Sequence, residues 1–305
     1  MTGTHSEATM SNHGNRLRAG VPGTVALREA REAFRANEAW DAIAADYDRT
    51  NTPTQMRLAE EGLRRAALRA DMRFLDVAAG SGALAIPAAR IGAKVTAIDR
   101  SAAMLEHLRR RALAEGLAVD TRVMDGHALA FDDGAFDMAG SQFGVMLFPD
   151  MPKALTEMAR VVKAGGRVLM HAYGDPHRID FLGFLEKAVQ AVRPGFDGPP
   201  ADPAPLEFQL AQPETMQQAM EAAGLREVTV QTFIETTRFS SGDELWDWLV
   251  SSNPLVEHVL GGLGLVAQER AAIRKVLDDM VRERAAGGKS AQLSNPVNIG
   301  IGIAA

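Results

Sequence analysis

Three carboxylates stand in this chain where a nucleoside-bearing ligand would meet them. Asp76 ends the apolar run Phe74-Leu75-Asp76, just ahead of the turn Gly80-Ser81-Gly82. Asp99 follows the run Lys94 to Ile98, and Asp125 follows Thr121 to Met124, with Gly126 and His127 after it. Glycines let a ligand approach the backbone, and a helix beginning behind them offers unpaired N–H groups. The stretch Gly80-Ser81-Gly82-Ala83-Leu84-Ala85 also fits the dinucleotide pattern G-x-G-x-x-G/A, and it equally fits a plain strand-to-helix turn. The carboxylates narrow the choice. Asp76 would face an ammonium group, Asp99 would accept both hydroxyls of a ribose, and Asp125 would take an adenine amino group. A pyrophosphate has no use for Asp76, which would repel it. Ammonium, ribose and adenine are the polar parts of S-adenosyl-L-methionine (SAM).

Such carboxylates must end neighbouring parallel strands. Arg73 to Ala78, Lys94 to Ile98, Thr121 to Met124, Phe136 to Gln142 and Arg167 to Ala172 read as five strands. Helices fall between them: one after Gly82, one capped by Ser101, and one from Pro152 to Val162, with Gly165-Gly166 ending the last connection. Leu225 to Phe239 and Val297 to Ile303 add two more strands, and helices from Val25 to Tyr47 and Pro53 to Leu68 precede the sheet. This alternation predicts an α/β fold: a doubly wound, mostly parallel seven-stranded sheet with its ligand at the carboxyl edge.

Two stretches break the rhythm. One, near 176–212, holds a helix from Phe181 to Val192 and the loop Pro194 to Pro205; the other, near 240–293, holds helices at Ser241 to Val250, Pro254 to Leu260 and Gln268 to Arg284. Both are expected to be helical insertions forming a lid. The organisation expected is a flexible segment 1–35 and one domain, 36–305.

From Trp40 to Met170 the chain resembles the class I SAM-dependent methyltransferases, most of all the branch similar to ubiquinone/menaquinone-biosynthesis methyltransferases. The matching pieces, in order, are WDAIAADYD, FLDVAAGSGALAIPAA, VTAIDRSAAML, VMDGHALAFDDGAFD, SQFGVMLFPD and ALTEMARVVKAGGRVLM. Two positions depart from the pattern: Ala78 stands where a glycine is usual, and Ala164 where a proline usually precedes the glycine pair. The resemblance implies a Rossmann-like fold and SAM as cofactor. It implies Gly80 and Gly82 beneath the methionine part, Asp99 on the ribose and Asp125 on the adenine, with Gly126 and His127 beside it. Met104 and the Arg100 backbone would flank the adenosine. Gln142 and Phe143 would line the space between sulfonium and acceptor, and Tyr47 would close over the cofactor, where ring faces attract cations.

Methyl transfer needs a general base only if the nucleophile must lose a proton. His171, His127 and Tyr173 are the candidates, and His171, at the end of the fifth strand, is the expected catalytic residue. Zero cysteines exclude thiolate nucleophiles, thiolate metal sites and disulfides, and no metal site is expected. A formal charge of −6 and the lack of a basic cluster in either insertion argue against nucleic acid as partner. Phe143, Met146, Phe148, Phe181, Phe184, Trp246 and Trp248 near the presumed mouth suggest a small-molecule acceptor, apolar or aromatic, although Phe184, Trp246 and Trp248 fit better as packing residues. No apolar stretch reaches 18 residues, so no membrane span and a cytoplasmic location are expected. A homo-oligomer stays open. The rivals are a nicotinamide-dependent oxidoreductase and a non-catalytic SAM-binding subunit. The first is weakened because neither Tyr47 nor Tyr173 has a lysine four residues on.

Overall fold

The computed structural model describes residues 37–196, 198, 206–252, 256, 260 and 263–305. The expected segment 1–35, the start of the helix from Val25, most of the loop Pro194 to Pro205 and most of the helix Pro254 to Leu260 lie outside the described residues.

Two helices lead in. The first, α1, is Asn37–Thr50, and α2 is Thr52–Arg65. Met56, Ala59 and Leu63 bury one stripe of α2, and the chain turns out of it through Ala67 at φ +55°, so it ends before the expected Leu68. The alternating part follows: β1 Arg73–Val77, α3 Ala85–Arg90, β2 Lys94–Asp99, α4 Ala102–Ala114, β3 Val119–Val123, β4 Phe136–Gln142, α5 Met151–Val161 and β5 Val162–Tyr173. Ser101 caps α4 as expected, its hydroxyl accepting from the Met104 N–H at 3.0 Å. Then come α6 Asp180–Val192, α7 Pro213–Ala222, β6 Leu225–Phe239, α8 Gly242–Ser252, α9 Ala267–Ala285 and β7 Ala291–Ala304.

The seven strands lie in the order β3-β2-β1-β4-β5-β7-β6. Strands β1 to β5 are mutually parallel, and β7 runs antiparallel between β5 and β6. The order reverses between β1 and β4, the place where such sheets open to a ligand.

Three boundaries differ from expectation. The third strand starts two residues earlier, so Met124 and Asp125 lie past its end. The fifth starts at Val162, directly behind α5, and Gly165-Gly166 lie inside it at a register shift. A Cβ on Gly166 would stand 2.6 Å from the Asp137 carbonyl oxygen, so the irregularity requires glycine. The seventh strand is longer, pairing with β6 from Leu225↔Ala304 to Phe239↔Ala291. Pairing with β5 stops at Tyr173↔Val297. The β6–β7 ribbon therefore runs on past the carboxyl edge.

That overhang has its own apolar core. Phe181 and Phe184 of α6, Trp246 and Trp248 of α8, Ile273 and Leu277 of α9, and Phe239 and Leu293 of the ribbon pack together, apart from the main core on both faces of the sheet. Helix α8 is also tied to the α1–α2 turn. Ser251 Oγ meets Thr50 Oγ1 at 2.6 Å and accepts from Asn51 Nδ2 at 3.0 Å, and Trp248 Nε1 donates to Thr54 Oγ1 at 3.3 Å.

Candidate functional site

At the reversal between β1 and β4 a cavity opens, and α1 closes it from above. Ala78 and Gly80 line it from the β1 turn, Asp99, Arg100 and Met104 from the β2 turn and α4, Gly126 and His127 from beyond β3, and Gln142 and Phe143 from β4. Trp40 and Tyr47 of α1 complete the wall. Ten of the residues singled out in the sequence thus meet around one space.

Backbone geometry shapes its floor. Gly80 takes φ +53°, with open space where a Cβ would be. Ala78 sits at φ +58° and Phe143 at φ +57°, a region that non-glycine residues rarely occupy. The family's glycine at position 78 is explained by this conformation. Opposite, a Cβ on Gly144 would come within 2.5 Å of the Ala78 Cβ, so only a glycine lets the two turns approach this closely.

Asp99 is half-buried, with Oδ2 accepting from the Gly80 N–H at 2.8 Å and Oδ1 from the Ser101 N–H at 2.9 Å. Burial raises its pKa, and the backbone donors of Ser101, Gly80 and Arg100 work against that rise. A carboxylate has about four lone-pair sites, so at least one stays open to a hydroxyl donor. Asp76 is 1% exposed, and neither of its oxygens has a hydrogen-bond partner among the described residues. Burial, with the nearby Asp99 charge, raises its pKa well above the ordinary carboxylate range; the Ala85 amide, outside hydrogen-bond geometry, pulls the other way. An enclosed carboxyl without donors is costly. A ligand ammonium would supply the missing donors.

Tyr47 donates to Gln55 Oε1 at 3.1 Å, and burial pushes its hydroxyl up to about 12. Gln142 is fixed at both ends: Nε2 donates to the Gln55 carbonyl at 3.1 Å, and Oε1 lies 2.8 Å from His171 Nδ1. Helix α1 is held over the cavity by Asp41, whose Oδ1 accepts from Ser101 Oγ at 2.5 Å, and by Asp48, which pairs with Arg111. Arg109 and Arg110 of the same arginine run both pair with Glu106.

Four expected residues do not line the cavity. Asp76 lies beneath its floor. Gly82 packs against α4, since a Cβ there would reach 2.9 Å from Leu108 Cγ. Asp125 is exposed at the rim; burial would raise its pKa, but His127 holds it below the usual range, donating from its backbone at 3.0 Å and meeting Oδ1 through Nδ1 at 2.7 Å. His171 is fully buried beneath α2, where a Cβ on Gly62 would stand 2.0 Å from Nε2. Burial, with Arg65 nearby, lowers its pKa to about 3, so it is neutral and sealed off. Direct proton transfer from a molecule in the cavity is closed to it.

Trp40, Ser101, Met124, Leu147, Phe148 and Pro149 line the cavity without having been assigned to the cofactor. The signal for Trp40 was its spacing from Tyr47, two helical turns along α1, where the rings meet edge to face at 6.3 Å.

Fold and cavity together are those of a Rossmann-like α/β protein of the methyltransferase type. Residues 75–170 match a family model described as a methyltransferase domain. A demethylmenaquinone methyltransferase of Thermus thermophilus is 35% identical over 162 residues, 51% of this chain and 74% of that protein. An uncharacterized protein of Mycobacterium tuberculosis is 38% identical over 129 residues, 42% of this chain and 45% of that protein. The chain thus spans about half the length of some curated relatives it matches. Among solved structures, the YcgJ protein of Bacillus subtilis superposes with a TM-score of 0.51 at 19% identity, covering 82% of this chain and 97% of that one. The chain belongs to the class I SAM-dependent methyltransferase family.

Proposed function

We propose that this protein binds SAM in the cavity at the β1–β4 reversal and transfers its methyl group to a small apolar or aromatic acceptor, with α6, α8 and α9 as a lid. The observation that carries this is Asp76, a buried carboxyl without donors beneath the glycine turn. A pyrophosphate at that turn carries no donor and would be repelled by it, whereas an α-ammonium group would relieve it.

When bound, SAM supplies a methyl group already activated by its sulfonium. The chain's part is to position and to exclude water, and proximity of this kind contributes roughly 7–11 kcal/mol toward a barrier. Asp76 holds the ammonium end. Asp99 receives the ribose, with the Ser101, Gly80 and Arg100 amides favouring its charged form. Gly126 and His127 bound the adenine side, and Asp125 keeps His127 in place from the rim. Tyr47 and Phe143 present ring faces to the cationic centre. His171 acts through Gln142: its Nδ1–H donates to Gln142 Oε1, which aims the amide at the Gln55 carbonyl and fixes that wall.

Among the described residues no helix is long and apolar enough to cross a membrane. The name of the Thermus relative places demethylmenaquinone in the acceptor panel. Incubation with SAM and that panel, read as release of S-adenosylhomocysteine, tests the activity. Turnover with a small aromatic acceptor is expected. Tight SAM binding with no turnover on any acceptor would favour the non-catalytic subunit, and turnover only on RNA, DNA or protein would overturn the acceptor class.

A further inference from the structure

On the far side of Phe143 stand polar groups that the cofactor does not use. Tyr173, the last residue of β5, stacks on Phe143 with centroids 4.4 Å apart and planes 18° from parallel. In the register Tyr173 faces Val297, Val297 faces Phe233, and two residues along the ribbon Asn295 faces Glu235. Side chains paired across a ladder share a face, as do residues two apart. Tyr173, Val297, Phe233, Asn295 and Glu235 therefore lie on one face. It is the face covered by α2, because Arg65 sits 5.6 Å over the Phe233 ring and His171 abuts Gly62. Since β6 runs parallel to β5, Glu235 and Asn295 lie past the carboxyl edge, beside the cofactor cavity.

Two oxygens there are shielded from solvent and lack a hydrogen-bond partner: Glu235 Oε1 and Asn295 Oδ1. They belong to register partners, so one donor group can serve both. Glu235 and Tyr173 keep part of their accessible surface although protein surrounds them. Glu235 and Tyr173 are thus enclosed but incompletely packed, as the lining of a ligand recess would be. Burial raises the Glu235 carboxyl to about 7, with no cation offsetting it, and Glu235 in turn helps to raise Tyr173 and Tyr47. The recess thus offers acceptor oxygens among aromatic rings, with Phe181 set edge-on to Tyr173 at 5.8 Å. A neutral hydroxyl on an aromatic ring loses less on leaving water than an ammonium does.

We propose that Glu235 and Asn295 form the polar end of the acceptor site and select acceptors that carry a hydroxyl on an aromatic ring. The identity of that molecule as the methyl acceptor rests on the function proposed above; the recess itself does not. The probes are 2-naphthol, its methyl ether 2-methoxynaphthalene and 2-naphthylmethylammonium, titrated calorimetrically with and without S-adenosylhomocysteine. The native protein is expected to bind 2-naphthol at least tenfold more tightly than the ether. Glu235→Met should shrink that preference below threefold while S-adenosylhomocysteine affinity stays within twofold, and Glu235→Gln, which keeps an acceptor oxygen, should retain most of it. Equal binding of naphthol and ether, no binding of naphthol, or a preference surviving in Glu235→Met would overturn the proposal. So would tighter binding of the ammonium probe, which would assign the recess to cations. If Glu235→Met fails to fold, the native preference still decides. Failure to bind S-adenosylhomocysteine would refute the cofactor assignment instead, and the naphthol preference is expected even then.

Discussion

Along the carboxyl edge, the β1–β4 half and the β5–β7 half hold their polar groups in different ways. In the first, Asp99 and Asp125 sit in strand-end turns and find partners in nearby backbone, Asp99 in the amides of Gly80 and Ser101 and Asp125 in that of His127. Asp76 alone of the three keeps both oxygens unpaired. In the second, His171, Tyr173, Glu235 and Asn295 come from three strands joined by long connections, and three of the four keep a buried atom without a partner. A local motif positions charge with main-chain donors that every sequence carries. A composite wall depends on side chains meeting across the sheet, so single residues matter there for packing as much as for polarity.

The contrast can be broken at either end. Asp99→Ala should be the largest effect on the motif half. Losing a hydrogen bond to a charged group costs roughly 1.5–3 kcal/mol, so SAM binding should weaken by about ten- to a hundredfold or more, measured by calorimetry on folded protein. An unchanged dissociation constant would put the ribose elsewhere. On the composite half, Gly62→Ala should cost stability without touching a ligand. Its new Cβ would lie 2.0 Å from His171 Nε2. Overpacking costs about 1–3 kcal/mol, against about 1 kcal/mol gained in helix propensity. A net loss of up to about 2 kcal/mol is expected in denaturant unfolding, and a net gain would mean that α2 lies farther from β5.

Glu235 gives a smaller, pH-dependent effect. Its carboxyl rises from an ordinary 4.5 to about 7 in the folded protein, so between those values the native state holds the proton that the unfolded chain releases. Its contribution is thus present below pH 4.5 and lost as pH rises toward 7. Glu235→Gln removes this slope. Relative to the native protein it should gain on the order of 1–3 kcal/mol of stability from pH 4.5 to 7.5, and a pH-independent difference would show that Glu235 is solvated. The smallest effect belongs to Ala78→Gly. Relief at φ +58° is offset by the greater unfolded-state freedom of glycine, so stability should change by no more than about 0.5 kcal/mol. Ala78→Val, β-branched at positive φ, should lose at least about 1 kcal/mol.

The same contrast explains what could be read from the sequence. The parallel strands of the motif half follow from alternation, and its residues meet because the strands end at one edge, at the glycine turn after β1 and the Ser101 cap after β2. Gly82 was assigned to the ligand for the same reason, yet its lack of a side chain serves packing on Leu108. Asp125 was placed by its strand end, but His127 binds it at the rim. His171 stands at a strand end like the others, and only the approach of Gly62 on α2 reveals that it is sealed. Glu235 and Asn295 were not singled out, because their juxtaposition is a matter of register between strands far apart in sequence. Of the aromatic residues expected at the mouth, Phe184, Trp246 and Trp248 are buried in the overhang's own core, while Phe143 and Phe148 do line the cavity.

The central claim is that the buried Asp76 carboxyl makes this cavity a site for SAM and not for a dinucleotide. Calorimetric titration of the native protein and of Asp76→Asn with S-adenosylhomocysteine and with NAD tests it most directly. The native protein should bind one S-adenosylhomocysteine per chain and no NAD. Asp76→Asn should lose at least tenfold in that affinity while unfolding no earlier than the native protein, because an unpartnered buried carboxyl has been removed. NAD binding more tightly than S-adenosylhomocysteine, or an Asp76→Asn variant with undiminished affinity, would contradict it.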